Sequence, residues 1–309
     1  MTKQVTTSVT TPVTTSVHAA GRGRAAPGAR LSTVRAERAQ RVVSYLLLVV
    51  GAAVFILPFL WMLSTALKGD DEISQYPPDF LPTSFHWDNF VKGWQALPFG
   101  TFLLNTVLIT TAAVVGTVLS CLLTAYAFAR VRARGRGVLF GLMLATMMVP
   151  AEITIVPVFA MFAKLQLVNT FWPLILPAWF GSAYFTFLIR QFMMTVPQEL
   201  DEAARIDGAS HMRILFQIIV PQIKPAIATV TAFSFISNWN NLLGPLIYLR
   251  DQDQYTLALG LSLFQGQYST QYNQMMAVAL LTLIPVIVVF LIAQRMFIRG
   301  VALSGFGGR

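Results

Sequence analysis

The chain has 309 residues, of which 55% are apolar and only 11% charged, with mean hydropathy +0.63 and net charge +9. An ordinary soluble domain carries roughly 25% charged residues, so a soluble enzyme with a polar shell is excluded, as is disorder of the whole chain. An integral membrane protein remains.

The first 40 residues stand apart. Met1 to Val17 is mostly Thr, Ser and Val, and Gly21 to Arg30 is Gly, Ala and Arg. Such a segment has little to bury and is expected to be a disordered cytoplasmic tail, with the apolar membrane-spanning domain over 41–309. It is too long and polar for the leading region of a cleaved signal, and the first apolar run is too long for its core.

A bilayer core of about 30 Å needs roughly 20 apolar residues per helix. Six stretches approach that length: Val42 to Leu67, Phe102 to Ala129, Val138 to Ala163, Trp172 to Ile189, Ala226 to Leu249, and Met275 to Gln294. The third carries Glu152 and is interrupted by Pro150 and Pro157. Barrel strands would alternate over about ten residues, so the expectation is all-α: a polytopic membrane bundle of six transmembrane helices.

Charge placement orients it. The tail to Arg41 holds seven bases and one acid, and Arg130, Arg132, Arg134 and Arg136 follow the second span without an acid. The loop from Lys68 to Thr101 holds five acids and two bases. With the N-terminus inside, the inner loops sum to +13 and the outer ones to −4, which returns the net +9. This asymmetry fits the positive-inside rule and places both termini in the cytoplasm. Positive charge is therefore a topology signal, and nucleic acid is not an expected partner. Lone Cys121 and the scattered His18, His86 and His211 offer no metal-ligand spacing.

Apart from Glu152 the spans are uncharged. Ion-coupled transporters carry ionisable groups at membrane depth, so energy is expected to enter from another subunit. Glu152 itself has two readings, the outer mouth beside Lys164 or a gate contact. The alternative to a subunit-driven transporter is a stand-alone secondary transporter or channel, for which coupling charges or a pore ring are missing. No catalytic set marks a membrane enzyme.

The segment 195–225, TVPQELDEAARIDGASHMRILFQIIVPQIKP, is amphipathic. Thr195 with Gln198 has capping-box spacing, and Glu199, Asp201 and Glu202 suit a helix N-terminus. Gly208 suits a left-handed residue after the helix end, and Ser210 can cap a second helix through Arg213 to Ile219. A plainer alternative is a solvated surface helix with an Asp201–Arg205 pair at i,i+4.

Glu202, Ala203, Ala204, Gly208, Ile219 and Pro221 together resemble the EAA loop of ABC importer membrane subunits. The resemblance implies a type I ABC importer transmembrane domain, with a core over 97–299 and the coupling loop at 195–225. It implies that Glu202, Ala203, Ala204, Arg205, Asp207 and Gly208 dock on an ATP-binding subunit. Asn238, Trp239, Asn240 and Asn241 with Gly244, Pro245 and Leu246 resemble a span-five segment of the carbohydrate-uptake, maltose-type branch, although Asn241 stands where many relatives have an acid. Met148 to Pro150, Ile155 to Pro157, and Phe264 to Gly266 also fit that branch, whereas the end, Ser304 to Arg309, departs from its lysine-bearing tail.

The resemblance therefore implies the permease subunit of an ATP-driven sugar or oligosaccharide importer in the bacterial inner membrane. Its implied partners are a second homologous permease subunit, two ATP-binding subunits, an extracytoplasmic sugar-binding protein and the lipid bilayer. This chain lacks a Gly-x-x-x-x-Gly-Lys-Ser/Thr sequence, so it carries no cofactor and is no enzyme; ATP belongs to the partner chains. Asn238, Trp239, Asn240 and Asn241 are either a sugar-lining patch on the translocation path or interhelical glue.

Overall fold

The computed structural model describes residues 27–265 and 271–304, and these form helices and turns with no strand among the described residues. The chain divides into two compact units, Met1–Pro58 and Phe59–Arg309.

Helix α1 is Pro27–Ala66. The tail expected without regular structure through residue 40 is therefore helical from Pro27; residues 1–26 lie outside the described residues. From Gln40 onward α1 is long and apolar enough to cross a membrane, and Val42, Leu47 and Phe55 are exposed. Apolar residues on every side of a helix suit lipid contact.

Two short helices follow, α2 (Asp70–Ile73) and α3 (Asp88–Ala96). Asn89 is buried and donates its amide to the carbonyls of Ala66 and Lys68, at 2.9 Å each. Buried Lys68 donates to the Asp79 carbonyl. The 32-residue helix α4, Phe99–Arg130, is the central element. At Gly116 a Cβ would lie 2.4 Å from the Trp179 ring, so only glycine permits that contact.

The third span is broken. Helix α5 (Arg136–Ala145) and a 3-10 turn end at Met148, and α6 (Ala151–Lys164) leaves at 101°. Pro150 lies at the corner, because a proline lacks the N–H that a continuing helix requires. Glu152 is in the first turn of α6 and Lys164 in its last. About 18 Å of helix separates them, so they are not neighbours at one mouth.

The fourth span comprises α7 (Trp172–Ile175), a 3-10 turn to Phe180, and α8 (Ala183–Thr195), with Gly181 at φ 82° between them. Beyond α9 (Glu199–Ile206) and α10 (His211–Arg213), Ile214–Ile219 forms a π-helical stretch leading into α11 (Val220–Gln222).

Helix α12, Lys224–Trp239, then turns by 85°. It stops at Asn240, short of the expected Leu249, and α13 (Leu243–Tyr248) continues after a break. The chain proceeds through α14 (Leu257–Ser262) to α15 (Tyr272–Ser304). Among the described residues four helices are long and apolar enough to cross a membrane alone, or up to six spans if each bent pair counts as one.

Two cores hold the second unit together. One joins Cys121, Leu122, Ala125 and Tyr126 of α4 to Ile189 and Met193 of α8 and to Ile214, Leu215 and Ile219. The other joins Phe99, Phe102, Trp239, Leu257, Phe264 and Val278. They sit at opposite ends of α4.

Candidate functional site: the segment 195–225

Helix α9 is built from its own first turn. Glu199, Asp201 and Glu202 lie there, where carboxylates oppose the positive end of the helix dipole. The residue before it, Gln198, provides no side-chain cap. Thr195 ends α8 instead, with its hydroxyl donating to the Phe192 carbonyl at 2.8 Å, so the expected capping box is absent. Val196, Pro197 and Gln198 separate the two helices, and that spacing puts Thr195 on the wrong one.

The end of α9 agrees with the sequence more closely. Gly208 has φ 78°. Its N–H donates to the Arg205 carbonyl at 3.0 Å, and the Ala209 N–H donates to Ala204 at 2.9 Å. These two bonds are a Schellman closure, which needs a left-handed residue. The Ser210 hydroxyl then accepts from the Arg213 N–H at 3.4 Å, as expected of a cap.

The stretch beyond Arg213 is less amphipathic than the sequence suggests. Ile214, Leu215 and Ile219 are fully buried in the core with α4 and α8. They anchor the segment, and α9 stands out from it. Glu202, Ala203, Arg205, Asp207 and Gly208 are exposed, and Ala204 is half-buried. Ile206 is 87% exposed, with Leu200, Met212 and Phe216 also exposed. Ile206 lies in the same helix as the small Ala203 and Ala204, close to Gly208.

Asp201 behaves differently from its neighbours. It is buried and faces Arg130, with Arg130 Nε 3.5 Å from Asp201 Oδ2. The expected partner Arg205 is exposed on the surface. Arg130 also donates to the carbonyls of Met193 and Val196 at 2.7 and 2.6 Å. Its role is invisible in sequence, because a pair from two distant segments has no spacing signal. A cavity of about 210 Å³ lies beside it, lined by Arg130, Arg132, Arg136, Asp201, Glu202 and Arg205 among others.

The Asn-Trp-Asn-Asn segment lies elsewhere, at the other core. Asn238 donates its amide to the Ser234 carbonyl at 2.8 Å, and Asn240 donates to Ile236 at 2.9 Å. The Asn241 side chain accepts from the Gly244 N–H at 3.0 Å. Trp239 is 5% exposed, stacks on Phe235, and donates its indole N–H to the Thr282 carbonyl at 3.1 Å. Each amide is engaged within its own stretch of chain. Asn105, in contrast, joins separate segments by donating to Asp253 and Tyr255 carbonyls.

A broken-span helical bundle that carries an exposed, left-handed-capped helix between its fourth and fifth spans is a type I importer membrane domain. Residues 116–303 match the family of binding-protein-dependent transport system inner membrane components, and the chain belongs to that family. It is a transport subunit and not itself an enzyme.

The sn-glycerol-3-phosphate transport system permease protein UgpE of Pectobacterium atrosepticum is 36% identical over 272 residues, covering 85% of this chain and 96% of that protein. UgpE of Yersinia pestis bv. Antiqua is likewise 36% identical with the same coverage. Among solved structures, a bacterial ABC transporter involved in the import of the acidic polysaccharide alginate superposes with TM-score 0.74 at 26% identity. The match covers 85% of this chain and 98% of that one.

Proposed function

We propose that this chain is the permease subunit of an ATP-driven importer of a sugar, oligosaccharide or related polyol, and that α9 is its coupling helix. The observation that carries the reading is the exposed surface from Glu202 to Gly208, with Ile206 held out and the chain turned sharply at Gly208. Glu202 makes the charged contact to an ATP-binding subunit, and the small Ala203 and Ala204 allow close approach.

The likeness to glycerol-3-phosphate and alginate systems supports the substrate class. The partners are a second permease subunit, two ATP-binding subunits and an extracytoplasmic binding protein. ATP-driven closure displaces α9 and switches the cavity between inward-open and outward-open forms. Both termini and α9 lie on the cytoplasmic side of the inner membrane. Support comes from Arg130, Arg132, Arg134 and Arg136, which share one end of α4 with α9.

The test is to purify the complete complex with its binding protein and measure which ligands stimulate ATP hydrolysis. A sugar or polyol that stimulates hydrolysis and drives uptake is the expected result. Uptake driven by an ion gradient without the ATP-binding subunits would overturn the reading in favour of a stand-alone transporter.

A further inference from the structure

Arg130 sits where three elements meet. Its side chain is 3% exposed and that of Asp201 4%. The guanidinium closes the last turn of α8 through the Met193 and Val196 carbonyls and holds the first turn of α9 through Asp201. A buried ion pair does not exist for stability, because desolvation offsets most of its attraction; removing one partner leaves a buried charge uncompensated. Membrane topology does not require it either. Arg132 and Arg134 are exposed and carry that signal from the adjoining turn.

What the pair adds is geometry. Helix α9 has eight residues and connects to its neighbours through Val196–Gln198 and through the turn at Gly208. A push on so short a helix would be absorbed by those links unless something fixed it laterally. Arg130 does so on one flank of the turn. On the other, the Tyr126 hydroxyl lies 3.3 Å from His211 Nδ1, one helical turn before Arg130 on α4. Both flanks of Gly208 are thus tied to the same end of the same span. The docking residue Glu202 is next in the chain after the clamped Asp201 and lines the same cavity as Arg130.

We propose that Arg130, through Asp201, is the positioning residue that makes α9 one rigid body with the ends of α4 and α8, so that displacement of α9 by the ATP-binding subunit reaches those spans. The proposal rests on the reading of α9 as the docking helix. It predicts that docking and energy transfer are separable: Glu202 serves the first and Arg130 with Asp201 the second.

The test uses the complete complex in liposomes with the variants Asp201→Asn, Arg130→Lys and Glu202→Lys. Co-purified ATP-binding subunit, stimulated hydrolysis and substrate uptake are measured per assembled complex. Asp201→Asn is expected to retain docking and hydrolysis while uptake per ATP falls about fivefold or more, the lower range of coupling between sites. Arg130→Lys, which keeps the charge but loses the fork, is expected to move the same way by less. Glu202→Lys is expected to lose the ATP-binding subunit. Should Glu202→Lys dock normally, the docking reading fails whatever the clamp variants do. Unchanged uptake per ATP in the clamp variants, or parallel loss of all three readouts, would overturn the clamp.

A second measurement requires no clamp substitution. Spin labels at Leu123→Cys on α4 and Glu199→Cys at the start of α9, in a Cys121→Ala background, are expected to give one distance with and without ATP. A distance that changes with nucleotide would overturn the rigid body.

Discussion

At its Arg130 end, α4 buries charge and leaves apolar groups outside. Arg130 and Asp201 are covered, while Ile206 and Met212 project from the neighbouring helices. At its Phe99 end the core holds no ion pair among the described residues. Phe99, Phe102, Trp239 and Phe264 fill the interior, and Asn238 and Asn240 donate to their own helix. Bonds between segments there include Asn105 donating to the Asp253 and Tyr255 carbonyls, the Leu257 N–H donating to the Thr106 hydroxyl, and Asn273 donating to the Asp70 carboxylate at 2.8 Å. Apolar packing with local amide bonds makes a stable joint. On the proposed reading, the long-range buried ion pair beneath the exposed helix α9 makes a joint that meets another protein and passes on movement. The proposed coupling helix thus places energy input at one end of the span and consolidation at the other.

The sharpest way to break this contrast is Trp239→Ala. Removing a buried indole is expected to cost about 3–5 kcal/mol. A thermal-unfolding scan in detergent should show the loss, and Trp239→Phe should recover much of it. If Trp239→Ala instead leaves stability intact and abolishes uptake, the ring belongs to the sugar path.

Gly208→Val is expected to cost roughly 1–2 kcal/mol, because a β-branched residue opposes the left-handed backbone. A Cβ there meets no atom within 4 Å, so the penalty is conformational and Gly208→Asn should relieve it. The effect is read as weakened co-purification of the ATP-binding subunit.

A smaller effect is expected at the other end of α4. Asn240 is exposed and bonds only within α12 among the described residues, so Asn240→Ala should change stability by no more than about 0.5 kcal/mol and leave uptake unchanged. Loss of uptake at unaltered stability would make it a path residue.

Much of the Arg130 end is legible in the sequence. The first-turn acids, the left-handed Gly208 and the Ser210 cap are local consequences of a few adjacent residues, and the structure has all three. The central and last spans are legible because long uncharged runs have few alternatives in lipid. The Arg130–Asp201 pair is hidden, since tertiary packing alone brings the two together. Span five departs from its hydropathy because hydropathy does not register that three asparagines near its end favour local side-chain bonds over continued helix. Span three departs for a related reason. Pro150 marks an interruption, but the 101° turn is set by what surrounds it.

The smallest expected effect lies in the segment between α2 and α3. The Thr83 hydroxyl hydrogen-bonds to Glu72 and holds its carboxyl below the ordinary range. A lowered folded value means the contact contributes fully above the ordinary carboxylate range and fades as pH falls through the lowered one. Protection of the Thr83 amide, whose N–H also donates to Glu72 at 3.2 Å, taken relative to the intrinsic exchange rate at each pH, should fall as pH drops below the ordinary carboxylate range. In Glu72→Gln that step should disappear.

Glu202→Lys, assayed in cells and after purification, is predicted to leave the chain folded in the membrane, to release the ATP-binding subunit and to abolish uptake. Normal assembly with normal uptake in that variant would contradict it.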